Sequence, residues 1–492
     1  MRTCEIDTRS GRYFGTYEES GVISFKGIPF AKPPVGALRW LPPQPLDTFD
    51  TWRLADGYPP APIQPDCPSK LAAQLREPRH VPVSEDCLYL NVWVADLETP
   101  KSGILFWLYG GSYAIGHASR AQSRGEAFVA AHPDIVFVAP NYRLGVFGSL
   151  NLQVLEGGER YRYSNNLNLL DQRAALEWVR VNACCFGAER APITLYGHSA
   201  GSNSICHHLA SSISNALFQR VICQSSFFEG PPNRTLERSR EDAQKIFELL
   251  GVRTVDEALK LSAEELLQAQ EEYFGGMYGA PVMDGLVVSN DELGDIIDGV
   301  AAGKEVLIGC SDGERDGAFA GLTSDGARRK VQRLIRDCLG DASEVADEFL
   351  DSHKEEGPLF ACGDLLAACQ MTMAEEIQAR ACALHSPVYQ FLFRWTADGS
   401  ACRAPHGAPG PFVFGNCLPQ GAPSLLKRQV QETWANFVRK GNPNNDLIPH
   451  WEPYTPLGGT VMEINDPWKA RVGFRENDYR LLRAYWPVTA RI

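Results

Sequence analysis

One stretch of the chain has the residue types and spacing of a serine nucleophile. Residues 193–196 are apolar or β-branched, and they precede the run Gly197-His-Ser199-Ala-Gly201 and a helix-compatible segment that extends to about Leu209. The first four residues predict a buried strand of a parallel sheet. A sharp turn from strand to helix at Ser199 would expose the hydroxyl above the sheet edge and direct the first N–H groups of the helix at its target. The pattern predicts a catalytic Ser199, although Gly-x-Ser-x-Gly alone also occurs in ordinary loops.

The candidate base for this serine is a histidine, because a serine hydroxyl is a weak nucleophile until an imidazole accepts its proton. The second half of the chain contains four histidines: His353, His385, His406 and His450. His406 is the best placed of them. It lies in a stiff glycine- and proline-rich loop just after the predicted strand 388–393, and such loops carry functional groups.

An orienting carboxylate is expected between the serine and the histidine, which is the chain order found with this kind of turn. The loop after the predicted strand 306–309 offers three candidates: Asp312, Glu314 and Asp316. The residue types and their spacing leave all three open.

A second glycine-rich turn, Tyr109-Gly-Gly-Ser-Tyr113, follows the predicted strand 104–108. Small residues at this position let backbone N–H groups approach the oxyanion that forms during acyl transfer, and such donors are often the largest catalytic contribution. We therefore favour an oxyanion role over an ordinary turn.

The elements that must position these residues read as an α/β protein. Apolar runs alternate with helix-length connections, which predicts a large, mostly parallel central sheet with helices on both faces. Amphipathic helices at about 236–275 and 324–384 interrupt the strand series, and we expect them to cap the carboxyl edge of the sheet. The absence of repeats and convincing linkers predicts one domain over residues 1–492.

Composition restricts the partners. The net charge of −13 and the lack of a basic stripe argue against nucleic acid, and no run of 18 apolar residues predicts a membrane span. The N-terminus lacks an apolar leader, so we expect a cytoplasmic protein with reduced thiols. Cys206-His-His208 and Cys402…His406 are the only Cys/His neighbours of note. Neither has a second pair to complete a zinc site, and no metal is expected.

Several motifs together resemble the type-B carboxylesterase family, which includes the cholinesterases. These motifs run nearly from end to end and comprise Phe25-Lys-Gly-Ile-Pro-Phe-Ala-Lys-Pro-Pro-Val-Gly-Ala-Leu-Arg39, Ser84-Glu-Asp-Cys-Leu-Tyr-Leu-Asn-Val92, Asn141-Tyr-Arg-Leu-Gly145, Leu170-Asp-Gln172, Phe412-Val-Phe-Gly415 and Trp434-Ala-Asn-Phe437. The resemblance implies an α/β-hydrolase fold and ester hydrolysis without a cofactor.

The resemblance also implies a role for each matching residue. It places the nucleophile at Ser199, the acid at Glu314 and the base at His406. The residues implied to assist them are the N–H groups of Gly111, Ser112 and Ala200 in the oxyanion hole, the supporting Ser225, and the structural ion pairs Arg39–Glu85 and Arg143–Asp171.

Three positions depart from the family pattern. Ser112 replaces a glycine that is common in the oxyanion loop, and His198 stands where many relatives have glutamate. Cys67 and Cys87 match a pair that is bridged in the family, but we expect both thiols to be reduced.

The leading functional hypothesis is a serine carboxylesterase for small to medium, neutral, mostly apolar esters. The alternatives are an acyltransferase or a lactone-forming enzyme with the same triad, a lipase, and, with less support, a non-catalytic binding relative. The loop between Cys67 and Cys87 is short and charged, which argues against a lipase lid. The complete triad argues against a binding relative. Neither the physiological ester nor the oligomeric state follows from the sequence.

Overall fold

The computed structural model describes residues 2–66, 82–226, 234–275, 279–339, 343–397 and 402–485. The chain divides into two compact units. The first comprises Met1–Leu195, Ile213–Phe218 and Pro232–Asn290, and the second comprises Tyr196–Ser212, Gln219–Pro231 and Asp291–Ile492. The single-domain organisation stays a prediction.

The sheet of the first unit is antiparallel at its N-terminal edge. Its strands are paired in the order Thr3–Thr8, Gly11–Tyr17, Ile23–Pro29, Tyr89–Val94, Ile135–Pro140 and Gly103–Leu108. The last two are parallel, with Gly103 opposite Ile135, and every residue of both is buried. A strand that is apolar throughout fits this position, because both of its faces are covered. The shorter strands of this unit are Trp52–Leu54, Ala61–Pro62, Val83–Ser84, Arg234–Thr235 and Val282–Met283.

The helices of the first unit pack apolar side chains into its core. They span Glu126–Ala131, Gly145–Gly148, Leu167–Asn182, Leu236–Leu250, Val255–Ala258 and Ala263–Phe274. Ala243, Ile246 and Phe247 are buried in one cluster with Trp40 and Leu266. Ser262 caps the last helix in the predicted capping box with Glu265.

Both structural ion pairs that the resemblance implies are formed in the first unit. Arg39 Nε donates to Glu85 Oε2 at 2.6 Å, and Arg143 binds both oxygens of Asp171 at 2.7 and 2.8 Å. The second pair is buried.

The second unit contains the parallel strands that carry the candidate catalytic loops. Arg220–Gln224, Glu305–Ser311, Val388–Phe393 and Thr460–Ile464 are paired in parallel in that order, and Lys469–Val472 adds an antiparallel edge. The helices of this unit span Ala200–Ala210, Glu292–Ile297, Ser324–Leu339, Ser343–Ser352, Pro358–Ala367, Met373–Cys382, Gly410–Phe414, Ser424–Lys440 and Glu476–Leu482. The predicted α/β class is confirmed, and both predicted insertion segments are helical.

Candidate active site

The serine turn has the predicted geometry. The strand Ile193–His198 ends one residue before Ser199, and the helix Ala200–Ala210 begins one residue after it. Ser199 has φ 57° and ψ −124°, and its N–H donates to the Gln224 carbonyl at 3.0 Å. Such a backbone costs about 1–3 kcal/mol and persists only where the surroundings enforce it. A Cβ at Gly197 would lie 2.5 Å from the Gly201 backbone, so only glycine fits there.

Glu314 and His406, which the resemblance implies as acid and base, are in direct contact. Glu314 follows the strand Glu305–Ser311 and is buried, and its Oε2 is hydrogen-bonded to His406 Nδ1. Its Oε1 accepts the Ser225 hydroxyl at 2.6 Å and the Ser311 N–H at 2.8 Å. Burial alone would raise the pKa of Glu314, but the charge and hydrogen bond of His406 and the two other donors lower it to about 2. Glu314 is therefore a carboxylate at neutral pH.

The two neighbouring aspartates that the sequence leaves open are bound to arginines instead. Asp312 accepts Arg394 Nε at 2.8 Å. Asp316 accepts Arg403 Nε at 2.9 Å and Nη2 at 2.6 Å. Of the three acids in this loop, Glu314 is the one that contacts His406.

These aspartates also connect the acid loop to the loop that carries His406. Asp312 Oδ1 accepts the Ala404 N–H at 3.1 Å, and the Gly313 N–H donates to the Ala404 carbonyl at 2.9 Å. Arg403 reaches further, to Asp364 at 2.9 Å. The positions of Glu314 and His406 are thus fixed relative to each other by backbone and side-chain bonds.

The remaining candidate histidines lie elsewhere. His353 is paired with Asp478 at 3.5 Å, His385 Nε2 contacts the Ile297 carbonyl at 2.7 Å, and His450 contacts Glu452 at 3.0 Å. The choice of His406 from its loop is consistent with this placement.

His198, the departure before the serine, packs on the candidate base. The rings of His198 and His406 have centroids 4.3 Å apart and an angle of 43° between their planes. Gly407, at φ 85°, allows this approach, because a Cβ there would lie 3.2 Å from His198 Cε1. The sequence singled out His198 but gave no sign that it touches His406.

The supporting Ser225 is the second strained residue of the unit. It has φ 55° and follows the strand Arg220–Gln224 directly. Its N–H donates to the Gly309 carbonyl at 2.8 Å while its hydroxyl binds Glu314. The next residue, Ser226, donates its N–H to Glu375 Oε1 at 2.9 Å. Sequence reasoning missed Glu375, which sits in a helix with no recognisable motif.

The predicted oxyanion donors lie in both units. Gly111 (φ 132°) and Ser112 (φ 54°) follow the strand Gly103–Leu108 in the first unit. Ala200 opens the helix after Ser199 in the second. A Cβ at Gly111 would lie 1.9 Å from the Ile115 carbonyl oxygen, so this tight turn requires glycine. The role of the three N–H groups stays a prediction.

Two further expectations from the sequence concern the cysteine pair and a membrane span. Cys87 is a buried free thiol, but Cys67, its match in the family bridge, lies outside the described residues. Among the described residues, no helix is long and apolar enough to cross a membrane.

Comparison with known proteins identifies the family of this chain. The model of the Carboxylesterase family matches residues 2–482. The chain is 31% identical to the para-nitrobenzyl esterase of Bacillus subtilis, over 91% of this chain and 92% of that protein. It is 30% identical to the cocaine esterase of Oryctolagus cuniculus, over 91% and 88%. The carboxylesterase EST55 of Geobacillus stearothermophilus superposes with a TM-score of 0.85 at 30% identity, over 98% of this chain and 99% of that one. The chain therefore belongs to the carboxylesterase family, has its α/β-hydrolase fold, and is a carboxylic ester hydrolase.

Proposed function

We propose that this hydrolase is a serine esterase in which Ser199 is the nucleophile, His406 the general base and Glu314 the carboxylate that orients the imidazole. The observation that carries the proposal is the contact between Glu314 and His406 Nδ1. A carboxylate on Nδ1 keeps the proton on that nitrogen, which leaves Nε2 as the acceptor for a serine proton. The turn that presents Ser199 supports the same assignment.

The reaction proceeds in two balanced steps. Ser199 Oγ attacks the ester carbonyl carbon while His406 takes its proton, and the alcohol leaves with that proton as the C–O bond breaks. Water then attacks the acyl-enzyme, gives its proton to His406, and releases the acid with Ser199 restored. We assign the stabilisation of both oxyanions to the N–H groups of Gly111, Ser112 and Ala200, which the strained turn and the helix start support.

We further propose that the substrates are neutral, mostly apolar esters of small to medium size. One relative is named a para-nitrobenzyl esterase, and the para-nitrobenzyl group in that name is uncharged and mostly apolar. In this chain residues 68–86 contain no Trp, Tyr or Phe, and this loop supplies the cation-binding ring in the cholinesterases that the chain resembles. A quaternary ammonium would therefore gain little there.

A reducing compartment is part of the proposal. The buried cysteines Cys87, Cys206 and Cys223 are free thiols, and proteins of oxidising compartments commonly bridge theirs. The measurement is alkylation, in denaturant, of protein isolated without reductant, because Cys87 is buried in the folded protein. Both Cys67 and Cys87 should react, and a linked peptide would contradict a cytoplasmic location.

The decisive experiment replaces the nucleophile and labels it. Ser199→Ala should lower kcat for p-nitrophenyl butyrate by about 10³-fold or more with an unchanged fold, because one hydroxyl is removed. Ser212→Ala, an exposed serine, is the matched control and should keep full activity. An organophosphate should label Ser199 alone, and labelling of Ser225 or Ser226 would overturn the assignment. Added alcohol that captures most of the acyl group would favour the acyltransferase alternative.

A further inference from the structure

The helix Met373–Cys382 brings two polar side chains to the turn that supports the catalytic acid. Glu375 Oε1 accepts the Ser226 N–H at 2.9 Å, and Gln378 Oε1 accepts the Ser226 hydroxyl at 3.4 Å. The preceding residue, Ser225, is the strained one whose hydroxyl binds Glu314 at 2.6 Å. A group that fixes Ser226 therefore also fixes the direction of the Ser225 hydroxyl.

The environment of Glu375 favours a neutral carboxylic acid. The side chain is 1% exposed, and a buried carboxylate is costly unless it is paired. Burial, followed by the negative charge of Glu314, raises the pKa of Glu375 to about 8. The hydrogen bonds from Cys310 and the Ser226 N–H and the charge of Arg475 oppose this shift without cancelling it.

The groups that face Glu375 come from four elements. Cys310 lies in the strand Glu305–Ser311, Ser226 in the turn, and Glu314 in the acid loop, with His406 beyond it. Arg475 precedes the helix Glu476–Leu482 and contacts the Cys310 sulfur at 3.6 Å. Glu375 also lines a small cavity whose charged or amide side chains include Glu376, Gln390, Arg475 and Asp478, and Glu376 itself is paired with Arg380 at 2.8 Å.

We propose that Glu375 is a positioning residue for the catalytic acid: by accepting the Ser226 N–H it holds the Ser225–Ser226 turn, from which the Ser225 hydroxyl binds Glu314. The inference rests on the proposed role of Glu314. In the neutral form the Glu375 carbonyl oxygen accepts the Ser226 N–H without opposing the Glu314 charge. Loss of its proton places a second negative charge beside Glu314. Repulsion between the two then weakens the geometry of Glu314, Ser225 and His406.

The test is the pH dependence of kcat and KM for p-nitrophenyl butyrate from pH 6 to 9.5 in the wild type, Glu375→Gln and Glu375→Ala. The wild-type kcat should fall above pH 8 with a single ionisation. Glu375→Gln keeps an acceptor for Ser226 but carries no proton to lose, so its kcat should stay within about twofold at pH 7 and lack the alkaline fall. Glu375→Ala loses the acceptor and should lower kcat about tenfold at unchanged KM.

Three controls make the result decisive. Active sites are titrated with an organophosphate, so that kcat refers to folded enzyme only. Glu344→Gln, at an exposed glutamate, should retain the wild-type profile. An alkaline fall that persists in Glu375→Gln, or a Glu375→Ala kcat within about twofold of wild type, would overturn the inference. If Ser199→Ala and His406→Ala are inactive at the same time, the proposed function stands while this inference fails.

Discussion

Two glutamates of the second unit are buried to a similar degree, and yet their pKa values shift in opposite directions. Glu314 is 6% exposed and Glu375 is 1% exposed, and burial raises the pKa of both. The balance of neighbours then lowers the pKa of Glu314 to about 2 and leaves that of Glu375 at about 8. Between these two values the site holds one carboxylate and one carboxylic acid.

The two pKa values differ because the two glutamates have different hydrogen-bond and charge partners. Glu314 has His406, a hydroxyl and a backbone N–H directed at its oxygens, and each favours the charged form. Glu375 has a backbone N–H and a thiol, and the charge that affects its pKa most is that of Glu314. Two interacting carboxyl groups favour one ionised and one neutral form. Depth of burial therefore does not distinguish Glu314, the proposed catalytic acid, from Glu375, whereas the set of hydrogen-bond donors does.

We expect the largest effect from a substitution that removes the charge of Glu314, the ionised glutamate of the two. Glu314→Gln should lower kcat about 10³- to 10⁴-fold, because an amide no longer stabilises the imidazolium and can select the wrong tautomer. His406→Ala should give a defect of similar size, and the double variant little more, since the groups act as one unit. Steady-state kinetics with p-nitrophenyl butyrate measures all three.

The matched controls for this prediction are the neighbouring acids. Asp312→Asn and Asp316→Asn each break a contact with Arg394 or Arg403 but leave the Glu314–His406 contact in place. Their kcat should therefore exceed that of Glu314→Gln by at least about tenfold. A greater loss in Asp316→Asn would transfer the acid role to Asp316.

The sequence predicted one member of this pair and not the other, for a physical reason. Ser199 and His406 stand out because glycines and prolines define their loops, and strand periodicity locates the acid loop. The choice of Glu314 over Asp312 and Asp316 required the family resemblance, because the arginines that bind the aspartates are distant in the chain. Glu375 lies in a mostly buried helix of ordinary composition. Only the tertiary structure brings it to Ser226.

A smaller loss is expected when the support of the Glu314 loop is weakened. Arg403 binds Asp316 with two nitrogens and Asp364 with a third. Arg403→Lys keeps the charge but loses this planar geometry, so kcat should fall about three- to tenfold with little change in KM. The control is Arg328→Lys, because Arg328 forms an exposed ion pair with Asp347. This variant should leave kcat and KM unchanged. Equal kinetics in both variants would mean that the arginine does not position Glu314.

The raised pKa of Glu375 also predicts that the stability of the fold depends on pH. In the unfolded chain Glu375 loses its proton near its ordinary pKa of 4.5, but in the folded protein it keeps the proton to about pH 8. Between these values the folded state binds one more proton, so this group lowers the free energy of unfolding as the pH rises from 4.5 towards 8. Glu375→Gln removes this penalty. Its Tm relative to wild type should rise between pH 5 and pH 8, measured by calorimetry. A constant difference would mean that Glu375 is ionised in the folded protein.

The smallest expected effect concerns the substrate, because neither glutamate presents a free negative charge to a cation. Glu314 is bound to His406, burial and the charge of Glu314 raise the pKa of Glu375 to about 8, and the position before the serine holds His198. Long-range attraction from the net charge of −13 raises encounter rates but is screened by salt. A neutral ester with the shape of butyrylcholine should therefore be hydrolysed at least as well as the choline ester, with a kcat/KM ratio near one at high salt. His198→Glu adds a carboxylate beside the reacting groups and should shift the ratio towards the choline ester, whereas His198→Gln should not. A choline preference in the wild type that survives high salt would show that another group binds the ammonium.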